Sequence, residues 1–436
     1  MNSFLKIKDK PLFVSSLLIF VLSCGNDDNS LNPQQKNNPP IAFELLSVAN
    51  SSTAIDVIPE FTWEEALDVD GDQVLYDIFL DTDPNPSIVL SRDLSTNSFQ
   101  IVQRLSLYER YYWKVIARDG NGGITESETF SFETRGLNLG MEPFLDNPPF
   151  PSRTNHTTTV LNEKIWIIGG FNSEVNRDIR ELWSSDDGLS WSTVSIPVEF
   201  NPRGEHQTIS FNDKLFIIGG GFREGNASPN LFNDVWSSDF SGFNWSLESA
   251  TSDFSPRMEH SVVEFEEKLF VIGGDIGGGL ENDVWVSENG SDWTRLSPRL
   301  IFSKRANHST IIFQDKIWVI GGREGGFLSG RNDVWNSDDG INWNLITSSA
   351  DFSGRYAHSV VVYDNKMWLF GGRGRGAEGF LNDIWYSRDG ENWNLVTDDG
   401  FYSKRTGFST IVFKDKIWLI GGEDDTSSKS DIWVFD

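Results

Sequence analysis

The stretch RANHSTIIFQDKIWVIGG, residues 305–322, decides the fold. It sets Arg and His three apart, runs through two short apolar segments joined by a polar turn, and ends on a Gly pair. Segments of that length, with turn residues between them, read as a β-hairpin and not as helix. The stretch also recurs. Aligned on Arg153, Arg203, Arg257, Arg305, Arg355 and Arg405, six copies follow one another at steps of 50, 54, 48, 50 and 50 residues.

Each copy contains an R-x-x-H opening (R-x-x-F in the sixth), an apolar strand, a turn ending in Lys, a second apolar strand, the Gly pair, a loop and an acidic residue two before a Trp, and the first five add a further turn reaching a second Trp. Four short strands per copy cannot bury their own faces, so neighbouring copies must stack radially. The expected fold is all-β, a six-bladed β-propeller with an N-terminal β-sandwich domain. The Gly pairs (169/170, 219/220, 273/274, 321/322, 371/372 and 421/422), with the Arg and Trp positions, resemble the kelch repeat in all six copies. The last turns, such as SSDDGLSW at 184–191, resemble the Asp-box of sialidase propellers and are read as folding elements, because an Asp-Gly turn suits a tight hairpin.

The sixth copy stops at DIWVFD, short of a fourth strand, which would leave a sheet edge open. Upstream of Arg153, GMEPFLD at 140–146 occupies the register of that missing strand and is expected to complete the last blade.

Before the repeats, a Lys-rich start and the apolar run LFVSSLLIFVLS read as a signal peptide over 1–24, and VLSC at 21–24 resembles a bacterial lipobox with Cys24 as the lipidated residue. Cys24 is the one cysteine, so disulfides and Cys-ligated zinc are excluded. The GNDDN that follows resembles the export signal of surface lipoproteins, which implies a bacterial outer-membrane protein exposed at the cell surface and touching the membrane only through its lipid. Residues 25–40 read as a flexible tether, 41–136 as a β-sandwich and 137–436 as the propeller. The sandwich, with Trp63 early and YYWKVIARDGNGG late, resembles a fibronectin type III or immunoglobulin-like module. Asp68, Asp70 and Asp72 in one turn and Asp119 in another are its candidates for a structural calcium ion; no other cofactor is expected.

Acidic residues outnumber basic ones 64 to 36, a net charge of −28 that argues against nucleic acid as a partner. The five histidines, His156, His206, His260, His308 and His358, share one repeat position, where the sixth copy has Phe408. A residue replaceable by an apolar ring is a packing residue. The spacing from that position to the Gly pair is 13 in every copy, whereas the loops after the Gly pair vary from 8 to 13 residues. Variable loops on a rigid scaffold are where binding is expected.

The candidate ligand-binding residues therefore lie on that side. They are Arg153, Arg203, Arg257, Arg305, Arg355 and Arg405 on the linkers, and Arg223, Arg323, Arg373, Arg375, Phe222, Phe327 and Phe380 in the loops. A guanidinium fork suits a carboxylate, and an aromatic ring suits a sugar or peptide face. The repeated arginines have a second reading, as ties between neighbouring loops. Glu205 and Glu259, which precede His on adjacent linkers, and Tyr356 are the catalytic candidates, if catalysis occurs. The leading expectation is a surface-anchored lipoprotein binding a glycan or protein ligand at the propeller mouth. The alternatives are a carbohydrate-active enzyme on an acidic sugar, similar to N-acetylneuraminate epimerase, and a non-catalytic envelope scaffold.

Overall fold

The computed structural model describes residues 36–197, 199–225, 227–297, 301–326 and 329–436. Cys24, the signal segment, most of the tether and Phe327 lie outside the described residues. Among the described residues every regular element is a β-strand apart from turns.

The N-terminal module is built from two sheets around one core. One joins Leu45–Ser47, Glu60–Trp63 and Ser98–Gln100; the other runs Ser52–Ile55, Phe130–Thr134, Arg110–Arg118, Leu75–Asp81, Val89–Leu94, with Ile124–Glu126 beside Arg110–Arg118. Period-2 alternation does the sorting: along Arg110–Arg118, Trp113, Val115 and Ala117 point inward and are fully buried. Trp113 meets Phe61 at 4.9 Å and Trp63 meets Tyr76 at 5.5 Å.

Each copy from residue 157 onward folds into its own antiparallel sheet, in chain order. The first is Thr157–Leu161, Lys164–Ile168, Leu182–Ser185 and Ser192–Val194, and the next four repeat that order. The sixth sheet has three strands, Ser409–Phe413, Lys416–Glu423 and Ser428–Phe435. Beside its last strand lies Leu145, whose N–H donates to the Ile432 carbonyl at 3.2 Å while the Ile432 N–H donates back at 2.8 Å. Second strands such as Ile317–Ile320 are apolar throughout because neighbouring sheets cover both of their faces.

The sheets meet in a ring at their inner ends. The residue before each His position donates its N–H to the carbonyl of its counterpart in the preceding copy: Glu205 to Asn155 (2.9 Å), Glu259 to Glu205 (3.0 Å), Asn307 to Glu259 (2.9 Å), Ala357 to Asn307 (2.9 Å), Gly407 to Ala357 (3.3 Å) and Asn155 back to Gly407 (2.7 Å). All six residues have φ between 48 and 60°. Asn and Gly tolerate that left-handed backbone, whereas Glu and Ala pay for it.

The Gly pairs have a steric cause. A Cβ on Gly321 would lie 2.9 Å from Cε1 of His358 in the next copy, and one on Gly322 would lie 2.7 Å from Cβ of His308 in its own. Imidazole and glycine thus interlock around the ring, and Phe408 fills the same slot beneath Gly371.

Candidate functional site

The six linker arginines do not line a ligand site. Each is 0–1 % exposed, and each guanidinium is used up inside its own copy. Arg355 shows the pattern: Nη1 donates to the Gly371 carbonyl (3.0 Å) and to Asp383 Oδ1 (2.7 Å), Nη2 donates to Asp383 Oδ2 (2.7 Å), and Nε donates to the Ser353 carbonyl (3.0 Å). Its ring-side face lies 5.5 Å from the Phe352 centroid. The acids before the Trp in the other copies, Glu181, Asp234, Asp283, Asp333 and Asp431, take Arg153, Arg203, Arg257, Arg305 and Arg405 in the same way. For these six arginines the tie between loops replaces the ligand role, because buried charge needs full pairing and leaves no donor over.

The histidines are not bonded in this way: His206 and His308 each set Nε2 against a hydroxyl, while both ring nitrogens of His156, His260 and His358 lack a hydrogen-bond partner. All are buried, and burial, aided by the nearby arginine of each copy, holds them far below the ordinary imidazole range, to about 3 for His156, His260 and His358. They are neutral packing groups, and His308 Nε2 is 2.8 Å from Ser261 Oγ. Below the neck they help enclose a channel of about 290 Å³ lined largely by Ser and Thr hydroxyls such as Thr157, Thr208 and Thr310.

Above the neck lies the mouth. Linkers and post-Gly loops share this end of the sheets, and here the copies differ. The position after the Gly pair is Phe171, Gly221, Asp275, Arg323, Arg373 and Glu423 in turn, each but the fifth joined to its linker by a two-residue bridge; in the fifth, Arg373 pairs with Tyr356 along a short strand. Glu205 accepts from Arg223 Nη2 (2.6 Å) and Asn155 Nδ2 (3.0 Å). Glu259 accepts from Arg323 Nε (2.9 Å) and Nη2, and Arg323 also reaches Asp275 (2.7 Å). Arg323 is therefore engaged, as is Arg223, whose guanidinium also lies over Phe171 at 5.5 Å.

The electrostatics of this wall are set by burial. Glu259 is pushed up to about 8 by desolvation and by the adjacent Glu205 carboxylate, against the pull of Arg323. Asp178, whose Oδ2 accepts from the Arg223 backbone N–H, is pushed to about 7 by burial. Both catalytic-candidate glutamates thus sit side by side on the neck, each paired with an arginine, with burial and mutual repulsion raising the Glu259 carboxyl.

The opposite wall is unsatisfied. Tyr356 is 4 % exposed and its hydroxyl has no hydrogen-bond partner; its nearby charges are Arg373, Arg323 and Glu259. Arg373 lies over Phe380 at 5.5 Å, and among the described residues it has no ion-pair partner. Arg375 is exposed at the loop tip, and Phe222 is half-buried beside Arg223. Of the ligand-binding candidates, Arg373 and Arg375 have no ion-pair partner among the described residues, and Phe380 and Phe222 are half-buried. A feature that the repeat pattern alone did not single out is the residue after the Gly pair, where four charges of mixed sign, Asp275, Arg323, Arg373 and Glu423, mark the unlike copies.

In the N-terminal module the two acidic turns do meet, Asn121 Nδ2 donating to Asp72 at 2.9 Å. Their carboxylates are engaged by Asn side chains and turn N–H groups: Asp68 by Asp70 N–H, Asp70 by Asn38 N–H and Asp119 by Asn37, Asn121 and Gly123. Among the described residues no three acidic, His or Cys groups are placed to hold a metal ion.

No curated protein matches the chain. A family model described as the KLHDC2/KLHL20/DRC7 Kelch-repeats domain matches residues 122–274, 155–351 and 260–436, which together take in all six copies. With six repeats built on one Arg, His and Gly-pair plan, and a family match running over most of its length, the chain belongs to the KLHDC2/KLHL20/DRC7 Kelch-repeats domain family.

Proposed function

We propose that the six sheets are the blades of a six-bladed propeller that binds a protein or glycan ligand at its mouth. In this reading the N-terminal module is a fibronectin type III-like sandwich that carries the propeller, and Cys24 bears the lipid that displays the protein on the bacterial outer surface. Kelch-repeat domains typically bind proteins, which supports the binding role.

The observation that carries the reading is the pair Arg373 and Tyr356: a cation with no ion-pair partner beside a buried hydroxyl with no acceptor or donor. Unsatisfied polar groups in a rigid recess are expensive unless a ligand completes them. A group with acceptor oxygens meets both, and the Phe380 ring beneath Arg373 offers it a flat apolar wall. A second reading, chemistry on an acidic sugar, draws on Glu259, whose raised pKa and place on the neck beside Glu205 suit acid and base roles.

A panel of neutral and acidic glycans and of peptides separates these readings. Acidic members should bind, and Arg373→Ala should weaken them about tenfold or more, the loss expected for a charge-assisted pair. Turnover of a sugar that is lost in Glu259→Gln favours the enzyme. A panel with no binders, or equal affinity in Arg373→Ala, rejects the mouth site in this form.

A further inference from the structure

The fifth copy departs from the others at the end opposite the mouth. Where the other first hairpins have Leu161, Phe211, Phe265, Phe313 and Phe413, it has Tyr363; where the others have Ser184, Ser237, Val286, Asn336 and Val434 just after the third-strand Trp, it has Tyr386. Two residues on, five acids, Asp186, Asp239, Glu288, Asp338 and Asp436, are answered by Arg388. The repeat itself does not need these changes.

All of them face the N-terminal module. The Tyr108 ring stacks on Tyr386, 4.9 Å apart at 13°, and Arg388 Nη2 donates to the Tyr108 carbonyl (2.5 Å) and pairs with Glu109 (3.1 Å). Asp364, in the first turn of the fifth copy, accepts from the Leu107 N–H (2.7 Å) and from Lys366 (2.8 Å), with Arg104 at 3.6 Å. Arg104 in turn lies over the Tyr363 ring at 5.1 Å.

The chain leaving the module then goes straight to the ring's open edge. Arg135 Nη1 and the Asn138 N–H both donate to the Asp436 carbonyl, at 2.9 and 2.7 Å, and Lys416 holds the Asp436 carboxylate at 2.5 Å. Leu145 pairs with Ile432, and Phe144 meets Trp418 edge-on at 4.9 Å. A three-stranded last sheet has an edge to protect, and these contacts cover it.

We propose that the N-terminal module is a clasp: its docking on the fifth copy and the closing of the sixth sheet by residues 135–145 are one cooperative event, with the mouth held at the far end. The module is then a fixed stand and not a hinged spacer. Two surfaces 30 residues apart in sequence, 104–109 and 135–145, act together because both are anchored on adjacent copies.

Hydrogen exchange on the full chain, followed by mass spectrometry, tests this without any ligand. In Asp364→Ala and in Arg388→Glu, amides of 428–436 should exchange about tenfold faster than in the wild type, although neither residue touches that strand. Glu109→Arg combined with Arg388→Glu should restore the protection, which separates a broken clasp from a damaged blade and keeps the test open if Asp364→Ala does not fold. Unchanged exchange at 428–436 in Arg388→Glu, or no recovery in the charge-swapped pair, overturns the proposal.

Discussion

Arg355→Ala is expected to destabilise the protein by about 3–5 kcal/mol, the cost of leaving a buried carboxylate without its partner. Asp383 would lose both prongs of the guanidinium, and the Gly371 carbonyl would lose its donor in a space that water does not reach. The stack on Phe352 goes as well. Arg355→Lys should recover little, since an ammonium cannot meet two carboxylate oxygens and two carbonyls in one plane. Arg355→Met with Asp383→Leu should lose less than Arg355→Ala alone, because no charge is stranded. Denaturant unfolding measures all three; a loss under about 1 kcal/mol for Arg355→Ala would place the arginine outside the framework.

The second large effect is acid sensitivity. His156, His206, His260, His308 and His358 are neutral in the fold, with pKa values depressed by burial to about 3 or held well below the ordinary value. In the unfolded chain they bind protons near 6.5, so between those values the unfolded state carries more protons and stability falls as pH falls. The contribution is whole above about pH 6.5 and declines by about 1 kcal/mol per histidine for each further unit, several kcal/mol over the five. Glu259, Asp178 and Glu423 act with the opposite sign: burial raises their carboxyls, so each favours the fold as pH drops through its folded value toward its unfolded one, but they are three groups against five. His156→Phe copies the ring that Phe408 already provides, and it should flatten the acid limb by about one fifth. An acid limb of unchanged slope in that variant would mean that the imidazoles are not the cause.

The architecture was legible because the constraint repeats. Six Gly pairs at a fixed 13 residues from a ring position force the interlock of glycine and imidazole, and Phe408 marks that position as a packing position in the sequence itself. The linker arginines carried two readings, ligand contact and tie between loops, and their burial against the acid of the same copy fits the tie. Their direction depends on the backbone of the linker, which turns the side chain inward, and no single copy states it. The signal was the acid two before each Trp, which recurs with the same period as the arginine and pairs with it. The mouth was harder still, since Arg323 and Glu259 come from different copies, 64 residues apart, and the packing of consecutive copies is what brings them together. The docking of the N-terminal module was invisible in either half alone, yet Tyr363, Tyr386 and Arg388 mark it once the fifth copy is read against its five neighbours.

The central claim is that ligands meet this protein at the mouth and not at the end bearing the Lys and Asp-Gly turns. Its most direct test is one affinity comparison, made with an acidic glycan or peptide that binds the wild type. Arg373→Ala, beside Tyr356, should weaken binding about tenfold or more. Phe240→Ser, which changes an exposed ring at the opposite end, should leave it unaltered. Loss of binding in Phe240→Ser with full binding in Arg373→Ala would contradict the account.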